Sequence, residues 1–186
     1  MPASSGASVV AGAPTASGVS SSSVGSAATQ LDVALQPLRT ASMFETTVTV
    51  DGVVVVRAKG RTLGDASQTT VTTAGKSVDY IEIPPRAWAR HGTGPWVLVA
   101  GNAAPTAPLQ VLATPLTLVA ATSGTPGTFT ATYPANALGL AGGPLTVTVS
   151  IAGDALTFRY EATTSGHPTS STTTLLPGPV DPIKAP

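Results

Sequence analysis

The chain has 186 residues, with nine Lys+Arg balancing nine Asp+Glu, and charged residues make up 10% of it, against roughly 25% in an average soluble protein. So sparse and even a charge leaves no field to gather nucleic acid or an anionic membrane surface. The absence of cysteine excludes a disulfide framework, a thiolate zinc site and a thiol nucleophile.

Nineteen glycines, 17 prolines and abundant Ser and Thr favour many short strands joined by turns. No run of about 18 apolar residues occurs that could span a membrane as a helix. Met1 is not followed by the basic segment and long apolar stretch of a signal peptide. The chain as given therefore reads as a cytosolic product or as a mature domain restarted at Met1.

Residues 1–31 carry no charge and consist mostly of Ser, Ala, Gly and Val. Such a segment buries too little apolar surface to offset roughly 1–2 kcal/mol per residue of backbone ordering. Residues 1–27 are thus expected to be a flexible tether, either a terminus without function or a spacer, and residues 28–186 a single domain.

Order is expected from Thr29, where Thr29-x-x-Asp32 resembles a capping box. Leu31, Leu35 and Leu38 then fall on one helical face, and Pro37 should kink or break that helix. FETTVTV over 44–50 and VVVVRA over 53–58 flank Asp51-Gly52, which predicts a hairpin with a type I′ turn. Arg57, Lys59 and Arg61 share one strand face, read as the solvated one. Strands follow over 67–73 and 77–83 around a turn at 74–76, and Pro84-Pro85 ends the second of them.

The next residues, 84–95, read as a loop holding Arg86, Trp88, Arg90 and His91, with Trp96 opening another strand. A short helix is predicted over 108–113 with Pro at its first position, then an apolar stretch over 116–120, a strand over 128–132 and a single turn over 134–138. In LTVTVSI (145–151) and ALTFRYE (155–161) apolar and polar residues alternate, as an antiparallel sheet covered on one side requires. A last strand is expected over 170–176, before a Pro-rich end that trails off. The residues read as an antiparallel meander with one longer N-terminal helix and small helical inserts.

Catalytic patterns are not found. The nucleophile elbow, the Walker loop, H-E-x-x-H and the EF-hand pattern are absent. His91 and His167 lie in Gly/Pro-containing loops and read as solvated bystanders rather than triad members. Asp79 and Glu82 stand three apart on a strand and so on opposite faces, which gives a two-carboxylate glycosidase no support. The chain is expected not to be an enzyme and to hold no metal or cofactor.

The segment DYIEIPPRAWARHGTGPWVLV (79–99) resembles the part of LolA/LolB-type carriers and their actinobacterial relatives in which a strand precedes a tryptophan loop and a further tryptophan opens the next strand. Together with the helix start and the closing TTTLLPGPVDPIKAP, it is similar to the mycobacterial LppX/LprA/LprF/LprG lipoprotein family, over about residues 28–186. The resemblance implies a mainly β (α+β) fold: a curved antiparallel half-barrel sheet with the N-terminal helix and short helices on its concave side, around an apolar cavity. It further implies a non-catalytic, monomeric cell-envelope lipoprotein that binds or carries lipids or glycolipids, held on the periplasmic side by a lipid anchor absent from this chain. Two departures stand against it: the chain is shorter and poorer in helix, and it lacks the lipidated cysteine.

On that reading Val48, Val50, Tyr80, Trp88, Leu98, Leu112, Leu118, Phe129, Tyr133, Leu138 and Phe158 line the cavity. Trp88 stands at its mouth, and Arg86, Arg90 and His91 meet a headgroup. The competing reading is a structural or interaction β-domain on a flexible stalk, in which the tryptophans cap the open end of the core.

Overall fold

Ala27, Leu31, Leu35 and Leu38 form one buried stripe along the first helix, at the i, i+4 and i+3 spacings that bring side chains to a single face. This helix, α1, spans Ser21–Thr40 of a computed structural model that describes residues 21–100, 104–120 and 127–186. It begins eight residues before Thr29, so the expected capping box lies inside it, and the expected tether boundary at 27/28 falls within helix beside the buried Ala27. The rest of the expected tether, residues 1–20, lies outside the described residues. Pro37 does not end the helix. It sits in the last turn with its ring exposed, so the missing N–H removes only one late hydrogen bond. The Arg39–Asp32 ion pair at 2.8 Å bridges the solvent side.

Among the described residues eleven strands follow: β1 (Ala41–Val50), β2 (Val53–Leu63), β3 (Ala66–Thr73), β4 (Lys76–Ile83), β5 (Arg86–His91), β6 (Val97–Val99), β7 (Thr117–Ala120), β8 (Thr128–Tyr133), β9 (Leu145–Ala152), β10 (Ala155–Thr164) and β11 (His167–Pro177). Helix α2 (Pro108–Leu112) precedes β7, and a single 3-10 turn, Ala135–Leu138, follows β8. The fold is mainly β, as expected. All strands form one open antiparallel sheet in the order β6-β5-β4-β3-β2-β1-β11-β10-β9-β8-β7. It consists of two meanders in chain order, joined where β1 pairs with β11 from Ser42↔Pro177 to Val50↔Thr169.

The tight connections follow from local chemistry. Asp51 (φ 50°) and Gly52 (φ 77°) take the left-handed conformations of a type I′ turn, whose twist matches that of the flanking strands. Pro84-Pro85 ends β4 as expected, but the chain turns straight back. The segment 86–91, expected to be a loop, is the full strand β5, paired with β4 from Ile83↔Arg86 to Val78↔His91.

Register decides which side chains share a face. The row Phe44↔Gly60, Gly60↔Thr69, Thr69↔Tyr80, Tyr80↔Ala89 crosses five strands, and Phe44↔Leu175, Leu175↔Leu156 continues it on the other side. This is the inner face, because Phe44, Leu175 and Leu156 share the core with α1. Phe129, Ala131 and Tyr133 of β8, Val147 and Val149 of β9 and Leu118 of β7 complete that core. The alternation read in β9 and β10 holds, with Val147, Val149, Leu156 and Phe158 buried. Gly60 admits the Phe44 ring: a Cβ there would lie 2.6 Å from Phe44 Cζ and closer still to the Gln68 carbonyl.

Arg57, Lys59 and Arg61 occupy the opposite, outer face with Glu45, Gln68 and Asp79. No helix among the described residues is long and apolar enough to cross a membrane.

Candidate functional site

The inner face is not uniformly apolar. Towards β3 and β11 most of its buried positions are hydroxyls: Ser42, Thr62, Ser67, Thr69, Thr169, Ser171 and Thr173. Small side chains leave room that the larger residues of β8 and β9 fill elsewhere. Above this part of the sheet stand α2 and the 3-10 turn, and between them and the sheet lies a cleft of about 390 Å³. Its floor comes from β1, β2, β3, β10 and β11, and its roof from residues 105–112 and 136–139. Every lining residue is uncharged.

Local structure holds the roof in place. Pro108 starts α2 and the Ala113 N–H closes on the Leu109 carbonyl at 3.1 Å. Gly139 (φ 73°) caps the 3-10 turn in the left-handed conformation. Tyr133, fully buried in β8, donates its hydroxyl to the Leu112 carbonyl at 2.8 Å and so ties α2 to the sheet. Burial pushes the Tyr133 phenol well above its ordinary pKa, so it stays a neutral donor. On the floor, the Thr46 and Thr173 hydroxyls pair at 2.9 Å, whereas Thr69 Oγ1 is buried with no partner.

Of the residues expected to line a cavity, Val48, Leu112, Leu138 and Phe158 line this cleft. Leu118, Phe129 and Tyr133 share the inner face but are closed into the packed core. Val50 and Tyr80 also point to the inner face, Val50 beside Thr169 and Tyr80 beside Thr69. Trp88 and Leu98 do not join them. Their row is Ile81↔Trp88, Trp88↔Leu98, which alternates with the Tyr80↔Ala89 row and therefore lies on the outer face. Trp88 belongs to a strand, not a loop, and it is not at the mouth of the cleft.

The expected headgroup contacts are dispersed as well. Arg86 is exposed at the start of β5 and His91 is exposed at its end. Arg90 is engaged on the outer face: it meets Asp79 Oδ2 at 2.6 Å, and its guanidinium lies 4.6 Å from the Trp96 ring centroid. Burial alone would raise the Asp79 pKa, but hydrogen bonds from Arg90 and Thr70 and the charges of Arg90 and Lys59 hold it below its ordinary value. The concentration of large side chains in 79–99 thus serves, at least for Asp79, Arg90 and Trp96, as a clamp across the β4–β6 end of the sheet.

A second concavity, about 760 Å³, lies on the outer face around Glu45, Lys59, Arg61, Thr70 and Leu176. Among the described residues no element roofs it, since its lining comes only from β1, β2, β3 and β11. The hydroxyl-bearing floor of the inner cleft was missed by sequence reasoning, although Thr69, Ser171 and Thr173 were inside expected strands. Among the described residues no group of three or more His, Cys, Asp or Glu stands close enough to hold a metal ion. Compared with protein-family models and with curated proteins, the chain matches none of them.

Proposed function

We propose that the protein binds or carries a lipid in the inner cleft, as a non-catalytic component of the cell envelope. The observation that carries this reading is the roofed, uncharged cleft of about 390 Å³ between the sheet and α2, a volume within the roughly 300–1,000 Å³ range of small-molecule sites. A passive apolar groove suffices for such a ligand, because each buried CH₂ of an acyl chain contributes about 0.8 kcal/mol. The open sheet would curve as a half-barrel, with α1, α2 and the 3-10 turn on its concave side. The binding unit would be a monomer, tethered by its N-terminal segment on the periplasmic side of the membrane.

The test is extraction of protein purified from an actinobacterial host with organic solvent, followed by mass spectrometry. A stoichiometric lipid in the wild type, lost in Ala58→Phe with folding retained, supports the carrier. Ala58 lies on the cleft floor, where a phenyl ring would occupy the ligand's volume. Lipid-free wild type that also takes up no added acyl ligand refutes it.

One observation favours the second reading, a structural or interaction β-domain. Both edges of the open sheet expose apolar side chains, Val97 and Leu98 at β6 and Leu116 and Val119 at β7, and unpaired edges are templates for strand addition.

A further inference from the structure

Among the buried side-chain polar atoms of the described residues, Thr69 Oγ1 is the one without a hydrogen-bond partner. Thr69 is 2% exposed, sits in the middle of β3 and lines the cleft floor. A buried hydroxyl without a partner in the chain is costly, so Thr69 Oγ1 calls for a partner that the protein itself does not supply. Its two neighbours in the row are Gly60, which offers no side chain, and Tyr80, which makes no hydrogen bond to it. Thr46, Ser171 and Thr173 bring three more hydroxyls to the same cleft, and no charged residue lines it.

We infer that the cleft takes a neutral acyl ester, and that the Thr69 hydroxyl hydrogen-bonds the ester linkage while the apolar walls hold the chain. This rests on the carrier reading and specifies its ligand. The hydroxyl, closed from bulk water, turns to the cleft by rotation about χ1, which exchanges it with the Thr69 methyl group. As donor it meets the ester carbonyl, which needs no proton and carries no charge into the site. A free fatty-acid carboxylate fits poorly, because the cleft has no cation to compensate its desolvation. The basic residues Lys59 and Arg61 are on the other face.

Binding of monoolein, oleate and a linear alkane of similar length to the full chain tests this, read by displacement of an apolar fluorescent dye. Wild type should bind monoolein more tightly than oleate at neutral pH. Thr69→Val, which replaces the hydroxyl by a methyl of similar size, should weaken monoolein about five- to tenfold and leave the alkane unchanged. Thr69→Ser should restore monoolein. The same Thr69→Val change should raise the melting temperature, since an unpaired buried hydroxyl is removed. Equal effects on monoolein and alkane, tightest binding of oleate, or a lowered melting temperature overturns the inference while leaving lipid binding intact. If none of the three probes displaces the dye, the carrier reading falls with it.

Discussion

Tyr133→Phe isolates one hydrogen bond that ties the roof of the cleft to the sheet. The substitution removes one hydroxyl and keeps the ring in its buried site. The Leu112 carbonyl then loses the donor that meets it at 2.8 Å. Leaving a buried acceptor unsatisfied costs about 1–3 kcal/mol. For a chain of this size about 2 kcal/mol corresponds to a fall of about 4–8 °C in melting temperature.

The pH dependence supplies a second, independent signature. The folded phenol's pKa is raised by burial, so the folded state holds its proton where the unfolded state, with a pKa of about 10, releases it. The contribution is fully present below pH 10 and is lost as pH rises toward the folded pKa, by up to about 1.4 kcal/mol per pH unit. Urea unfolding at pH 8 and at pH 11 should therefore show wild type losing more stability than Tyr133→Phe over that interval. Hydrogen exchange of the α2 amides should accelerate in the variant. Equal stability at pH 8, or equal alkaline losses in the two proteins, refutes the argument that this bond anchors α2.

Three other outcomes can be checked by the same unfolding measurements. Gly60→Ala should cost about 1–3 kcal/mol, because its Cβ meets the Phe44 ring and the backbone of β3; Phe44→Leu in that background should recover part of the loss. Phe158→Ala, at a buried position bordering both core and cleft, should cost about 3–5 kcal/mol where the site is close-packed, and a loss below 1 kcal/mol would assign the ring to the cleft wall alone. Arg90→Ala should steepen nothing and flatten the acid limb: the lowered Asp79 pKa gives stability present above about pH 4 that is lost as pH falls through the folded pKa. The pair is partly exposed, so its effect should stay within about 1 kcal/mol, and unchanged acid unfolding would exclude a contribution.

The local half of this architecture was readable because turns and alternation are written in neighbouring residues. Asp51-Gly52 announces its hairpin, and Leu156, Phe158, Val147 and Val149 alternate with polar residues that stay wet. Strand β5 was hidden because its inward residues are alanines, Ala87 and Ala89, while its largest side chain, Trp88, faces outward. The apolar signal there has the wrong parity for size. The start of α1 was hidden for a related reason: the residues before Ala27 are serines, a glycine and one apolar residue, Val24, too few to mark a periodic face. The cleft was half legible. Val48, Leu112, Leu138 and Phe158 are apolar and were expected, but inward threonines look like outward ones until the register assigns them a face. The β1–β11 pairing, between distant strands, leaves no local trace.

That pairing governs how the molecule comes together. The two meanders are built from short-range hairpins, whereas the seam joins Thr49 to Ser170 and Thr46 to Thr173, separations of 121 and 127 positions. Closing a flexible loop of that length costs about 4 kcal/mol in chain entropy beyond a constant, so the seam should zip after the hairpins on either side, as high contact order slows folding. The cleft floor takes β1, β2 and β3 from one meander and β10 and β11 from the other. Neither half forms this cleft by itself. The pocket is a product of the final assembly step, and any molecule that occupies it acts as a clasp, lowering the rate at which the two halves part.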